Sequence, residues 1–152
     1  MKTLSTGTRA PDFLLPDQDG KFQELGQLLL RGPVVLFFFP TAGSAGCTRE
    51  AVHFLDLAAE FAAAGAHRLG ISMDDSGTMG AFAEREMLDF PLLADVDGAV
   101  AEAYGVRRRF ITPVKRATFV INEQQEIVEV VQSETSMTVH ADRALEALAR
   151  LA

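Results

Sequence analysis

Val34-Val35-Leu36-Phe37-Phe38-Phe39 is the longest strictly apolar run in the chain, and prolines at 33 and 40 bound it. Six consecutive β-branched, aliphatic and aromatic residues are the pattern of a strand covered on both faces, as in a parallel sheet. Small residues follow from Thr41 to Gly46. Beyond them Ala51, Phe54, Leu55, Ala58, Phe61 and Ala62 recur at helical spacing, which predicts a helix from about Cys47 to Ala64, ended by Gly65. A buried strand running into a helix is the first half of a βαβ unit.

The rest of the chain extends that unit. His67 to Met73 reads as a strand, Thr78 to Leu88 as a helix and Pro91 to Ala94 as a short strand. Ala99 to Tyr104 reads as a short helix stopped by Gly105. Ala117 to Ile121 and Glu126 to Val131 read as an antiparallel pair around Asn122 to Gln125, and a last helix spans about His140 to Leu151. Ahead of the central strand, Asp17-Gln18-Asp19-Gly20 lies between short apolar runs and predicts a hairpin. The expected class is α/β: a central mixed sheet flanked by helices, with an N-terminal β-hairpin, as one domain over residues 1–152. In such folds sites gather where the carboxyl end of a strand meets the amino end of the next helix. Cys47 lies there.

Composition narrows the function. The net charge of −7 excludes a generally basic, nucleic-acid-coating surface. A six-residue apolar run is far below the ~20 residues of a membrane span, so neither nucleic acid nor membrane is an expected partner. The N-terminus has no apolar stretch behind Lys2, and Cys47 is the only cysteine. Intramolecular disulfides and multi-cysteine zinc sites are therefore impossible, and a reducing, cytoplasmic setting is expected.

A lone cysteine is ordinarily a small buried hydrophobe. In the first turn of a helix, however, unpaired N–H groups and the positive end of the dipole favour a thiolate. Ser44, three residues earlier, is placed to cap that turn. Glu50 could orient Arg116 or Arg49, or act as a first-turn acid. His53, His67 and His140 are far apart in sequence and are expected to be surface or partly packed residues. Residues 105–116 hold five of the fourteen basic residues and no acid, a segment that could raise the potential near the thiol or dock an acidic reductant.

Pro40-x-x-x-Ser44-x-x-Cys47 resembles the active-site signature of the peroxiredoxins. Ala10-Pro11-Asp12-Phe13, Phe90-Pro91-Leu92-Leu93, Ala103-Tyr104-Gly105-Val106 and Arg116-Ala117-Thr118-Phe119-Val120-Ile121 resemble the family's other landmarks, in the right order over nearly the whole chain. The subfamily resembled is peroxiredoxin Q, or bacterioferritin comigratory protein. The resemblance implies a thioredoxin-like fold and a thiol-dependent peroxidase acting on hydrogen peroxide and organic hydroperoxides, with no metal or organic cofactor. It implies Cys47 as peroxidatic nucleophile and Ser44 as the hydroxyl that bonds the peroxide. It also implies Pro40 as a shield against water and Arg116 as the distant arginine that reaches the sulfur. Gly46 joins Ser44, Cys47 and Arg116 as an expected substrate-binding position. Ser44 replaces the more usual threonine, and Val52 stands where many members carry a resolving cysteine. The chain is thus expected to be a one-cysteine variant, recycled by an external thiol: a thioredoxin, a glutaredoxin-type protein or a low-molecular-weight thiol. A monomer and a homodimer are both compatible. The alternatives are a peroxide sensor or redox-dependent binding module with slow turnover, and an inert thioredoxin-like domain.

Thiol acidity alone cannot make a fast peroxidase. A thiol of pKa 8.5 is about 3% ionised at pH 7, and lowering it to about 6 gains on the order of 30-fold in thiolate. The accompanying fall in nucleophilicity takes back roughly 13-fold. Most of the acceleration must come from positioning the peroxide and stabilising charge as the O–O bond breaks.

Overall fold

The computed structural model describes residues 2–152; Met1, where the N-terminal and whole-chain readings begin, lies outside them. The chain opens on the hairpin of β1 (Leu14–Pro16) and β2 (Phe22–Glu24), paired antiparallel. Asp17 builds its turn: the carboxylate accepts from the N–H groups of Asp19 and Lys21. The helix α1 (Leu25–Leu29) follows directly and buries Leu25 and Leu29. Then come β3 (Val34–Phe38), α2 (Ala45–Asp56), α3 (Ala58–Ala63), β4 (His67–Ser72) and α4 (Ser76–Glu86). The chain closes with β5 (Leu92–Ala94), α5 (Ala99–Ala103), β6 (Ala117–Ile121), β7 (Ile127–Gln132) and α6 (Val139–Leu151).

Five strands form one mixed sheet in the order β5-β4-β3-β6-β7. Strands β3, β4 and β5 are parallel, while β6 runs antiparallel to both β3 and β7. The apolar run is its central strand, and every residue of β3 is buried. Its alternate side chains feed two cores. Val34, Leu36 and Phe38 join Leu25, Leu29, Tyr104 and Phe119 on one face. Val35 and Phe37 join Phe54, Phe61, Phe82, Ala144 and Leu148 on the other. The second face is therefore covered by α2, α3, α4 and α6. Among the described residues no helix is long and apolar enough to cross a membrane.

Two expected elements differ. The helix foreseen from Cys47 to Ala64 breaks at Leu57, whose backbone turns to φ −97° and ψ 20°. The Leu57 N–H still bonds His53 O, and Phe61 N–H bonds Leu57 O. The break is thus a kink that keeps Phe54 and Phe61 stacked 5.6 Å apart on the sheet. The helix α1 was not expected: it is five residues long, contains Gly26 and has no side-chain cap, so neither period nor capping signals it.

Candidate active site

The register of the sheet assembles the site. Phe38, at the carboxyl end of β3, pairs with Ala117, the first residue of antiparallel β6. Arg116 therefore enters the sheet beside the point where the chain leaves β3 for α2, although it lies 69 residues from Cys47. The intervening loop is anchored by Asp74, just past β4, whose carboxylate accepts from Ala42 N–H at 2.9 Å and from the Ser72 hydroxyl at 2.7 Å. Gly43 turns the loop at φ +86°, a conformation that favours glycine.

Ser44 is the N-cap of α2. Its oxygen accepts from Cys47 N–H at 3.4 Å and its hydroxyl donates to Thr41 O at 3.1 Å. Cys47 thus sits in the first turn, facing the positive end of the helix. The thiol is only 1% exposed and belongs to the apolar cluster of Phe37, Phe39, Ala51 and Phe54. On its polar side Arg116 Nη2 lies 3.4 Å from Sγ. Gly46 eases that approach: a Cβ there would crowd Arg116 Nη2 and Met137 Sδ, each at 3.3 Å. Pro40 is half-buried at the start of the loop. Cys47, Ser44, Gly46 and Arg116 converge, and Pro40 lies on the loop that joins them to β3.

Arg116 is itself fixed from behind. Nη1 donates to Glu50 Oε1 at 2.7 Å, and Glu50 is fully buried. Glu50 turns inward to Arg116, whereas Arg49 is exposed. Burial pushes the Glu50 carboxyl up to about 8, outweighing the lowering by the Arg116 charge and hydrogen bond.

His140, expected on the surface or partly packed, is instead wholly buried. Its Nε2 lies 2.9 Å from Ser133 O, its Nδ1 2.9 Å from Thr118 Oγ1 and 3.6 Å from Glu50 Oε2. Burial pushes the imidazole down, so it is neutral at pH 7. A carbonyl only accepts, so Nε2 carries the hydrogen and Nδ1 accepts from Thr118. A lone histidine has no local sequence signal of such a role; the contact exists because α6 packs on β6. His53 does lie at the surface of α2, paired with Asp142 at 2.8 Å. His67 is half-buried at the start of β4. The basic segment is partly neutralised. Arg108 pairs with Glu134 at 2.6 Å and Arg107 with Glu102 at 3.4 Å, while Arg109 is exposed.

The AhpC/TSA family model matches residues 6–130, which include the whole cysteine loop and Arg116. A Mycobacterium tuberculosis protein named as a peroxiredoxin is 49% identical over 148 residues, 95% of this chain and 96% of its own. The crystal structure of peroxidoxin BcpB from Mycobacterium tuberculosis superposes with a TM-score of 0.93 at 49% identity, covering 97% of each chain. The bacterioferritin comigratory protein of Xanthomonas campestris, described for its alkyl peroxide reduction activity, gives a TM-score of 0.86 at 26% identity over 99% of each chain. The mixed sheet with its flanking helices is accordingly the thioredoxin-like fold, and the chain belongs to the AhpC/TSA family as a peroxiredoxin of the peroxiredoxin Q type, a thiol-dependent peroxidase.

Proposed function

We propose that Cys47 is the peroxidatic nucleophile of a one-cysteine peroxidase for hydrogen peroxide and organic hydroperoxides. The observation that carries the reading is the buried guanidinium of Arg116, 3.4 Å from the sulfur at the capped start of α2. The Cys47 thiolate attacks one peroxide oxygen in line, the O–O bond breaks, and the other oxygen leaves as water or an alcohol. Cys47 becomes a sulfenic acid. Sulfur supplies the electron pair, so the step needs no metal or organic cofactor.

Arg116 stabilises the charge that moves from sulfur to the leaving oxygen. Gly46 N–H is a first-turn donor at the same end of α2. Ser44 contributes its hydroxyl to the peroxide by releasing Thr41 O, and Pro40 limits water at the mouth of the loop. A hydroperoxide of any bulk needs an open approach, and alkyl peroxide reduction by the Xanthomonas campestris relative supports organic substrates. Ser44→Ala is expected to slow Cys47 oxidation about tenfold, the worth of one neutral hydrogen bond. It should also cost about 1 kcal/mol of stability through the lost cap. Ser44→Thr should restore both, measured by stopped-flow oxidation and denaturant unfolding.

Cys47 is the only cysteine, so regeneration takes an external thiol. Its sulfur attacks the sulfenic acid, water leaves, and a mixed disulfide remains for a second thiol to reduce. This cycle belongs in a reducing compartment such as the cytoplasm. Limited peroxide followed by a thioredoxin, a glutaredoxin-type protein or a small thiol is expected to give an adduct at Cys47 by mass spectrometry. No adduct with any thiol would refute external recycling. The reading as a whole is tested by stopped-flow oxidation with hydrogen peroxide and a bulky lipid-like hydroperoxide, with Cys47→Ser as control. Oxidation no faster than that of a free thiol would overturn it.

A further inference from the structure

One buried cation in this molecule serves two candidate anions. Arg116 reaches Cys47 Sγ at 3.4 Å through Nη2 and Glu50 Oε1 at 2.7 Å through Nη1. All three groups are buried. Were thiolate and carboxylate both ionised, the pocket would hold a net negative charge out of water, which is costly. The other carboxylate oxygen shows how that is avoided. Glu50 Oε2 is buried and has no hydrogen-bond partner. It faces His140 Nδ1 at 3.6 Å; with the hydrogen on Nε2, the one lone pair of Nδ1 accepts from the Thr118 hydroxyl at 2.9 Å and passes to Glu50 when that hydroxyl turns away. Two acceptors face each other across a gap that a proton would turn into a donor and acceptor.

We propose that Glu50 is the alternate counterion of Arg116, protonated toward His140 while Cys47 is a thiolate and ionised once the sulfur loses its charge. The proposal rests on the peroxidase reading and deepens it: Glu50 and His140 are positioning residues that exchange a proton with the redox state of Cys47. The step balances. Thiolate, hydroperoxide and protonated Glu50 give sulfenic acid, alcohol and ionised Glu50. The sulfur–oxygen bond forms, the O–O bond breaks, and the hydroperoxide's hydrogen ends on the alcohol. The proton lost by Glu50 balances the one that completes the sulfenic acid. Arg116 faces one anion before the reaction and one after. When external thiol restores the thiolate, Glu50 takes a proton again.

The surrounding charges bear on this exchange from each element. Glu134, beyond β7, raises the Glu50 carboxyl and is itself paired with Arg108. Arg116 lowers that carboxyl from the β6 side, and Arg143 on α6 lowers the imidazole of His140. Burial holds the Glu50 carboxyl up at about 8 against the pull of Arg116, and a thiolate drawing on the same guanidinium weakens that pull. In the proposed exchange, loss of the sulfur's charge leaves Arg116 to Glu50 alone and favours the ionised carboxylate.

Infrared difference spectroscopy of the full chain reads the carboxyl directly. Reduced protein at pH 7 is expected to show a protonated-carboxyl stretch that titrates away near pH 8 and is missing in Glu50→Gln. Carboxyl-¹³C-glutamate labelling should shift it, which assigns it without a variant and separates it from the buried Asp17 and Asp95. One equivalent of hydrogen peroxide should abolish the band, and so should capping Cys47 with iodoacetamide, which removes the sulfur's charge without oxidation. His140→Gln should move the band by changing its partner. A band that survives both treatments, or is absent from the reduced protein at pH 7, overturns the proposal. An unmoved band in His140→Gln overturns the part of His140. Mass spectrometry of the same samples separates the two readings: capping that abolishes the band while peroxide leaves Cys47 unmodified would sink the peroxidase and keep the counterion exchange.

Discussion

Arg116→Met should slow oxidation of Cys47 by hydrogen peroxide about 10²–10³-fold, the usual cost of removing one preorganised donor from a developing oxyanion. Methionine keeps much of the side-chain volume and removes the five donors and the charge. The loss should exceed whatever change the substitution makes in the thiolate fraction, measured by alkylation rate across pH. The reason is that acidity and nucleophilicity largely cancel for a thiol. The variant also leaves Glu50 buried without its cation, and a broken buried pair costs about 3–5 kcal/mol. Glu50 can soften that cost by holding its proton. Its folded-state value is already raised to about 8. Stability from a raised carboxyl is complete below the unfolded value and is lost as pH rises through the folded one. The deficit of Arg116→Met should therefore be small near pH 6 and largest above pH 8. Adding Glu50→Gln should abolish the pH dependence and recover most of the stability without recovering the rate. A double variant that regains peroxidase speed would show that the single one was merely misfolded.

What makes Arg116 decisive is also what a linear reading handles poorly. The strand at 34–39 and the cap at Ser44 are local signals: apolar continuity in one case, a hydroxyl three residues ahead of a helical turn in the other. Both stand in the structure, with β3 at Val34–Phe38 and the Ser44 oxygen accepting from Cys47 N–H. Only resemblance points to Arg116, because its position depends on the Phe38–Ala117 pairing, which no local pattern encodes. His140 is hidden from a linear reading for a stronger version of the same reason. It comes to the site by two steps, α6 packing on β6 and Thr118 turning its hydroxyl to the imidazole. Neither step leaves a mark on the residues beside it. The kink at Leu57 was invisible because Ala58, Phe61 and Ala62 continue the apolar pattern of the preceding turns. Periodicity reports which face is buried and says little about a one-residue change of direction. The basic segment shows the opposite failure. Its charge is obvious in sequence, but Glu102 and Glu134, which pair with Arg107 and Arg108, stand outside it.

Phe54→Ala should cost about 3–5 kcal/mol of global stability. Phe54 is completely buried. Its ring stacks on Phe37 of the central strand with centroids 4.2 Å apart and planes within 7°, and on its other side lies Phe61 across the Leu57 kink. Truncation removes transfer free energy and leaves a cavity that the central strand cannot close, because β3 is hydrogen-bonded on both sides. The same contact fixes the last turn of α2, about two turns beyond Cys47. Positioning by that helix is what brings sulfur and guanidinium together, and small misplacements of reacting groups are expensive. The variant should therefore lose peroxide reactivity as well, about tenfold, under conditions where it is still folded. Phe54→Leu fills most of the space and should cost less than about 2 kcal/mol with nearly normal reactivity. Urea unfolding with an unchanged m-value, read beside stopped-flow oxidation, separates the two effects. If Phe54→Ala lowers stability by the full amount yet oxidises at the wild-type rate, the cap at Ser44 and the Arg116 contact hold Cys47 by themselves. The aromatic stack would then anchor the fold without setting the geometry of the sulfur.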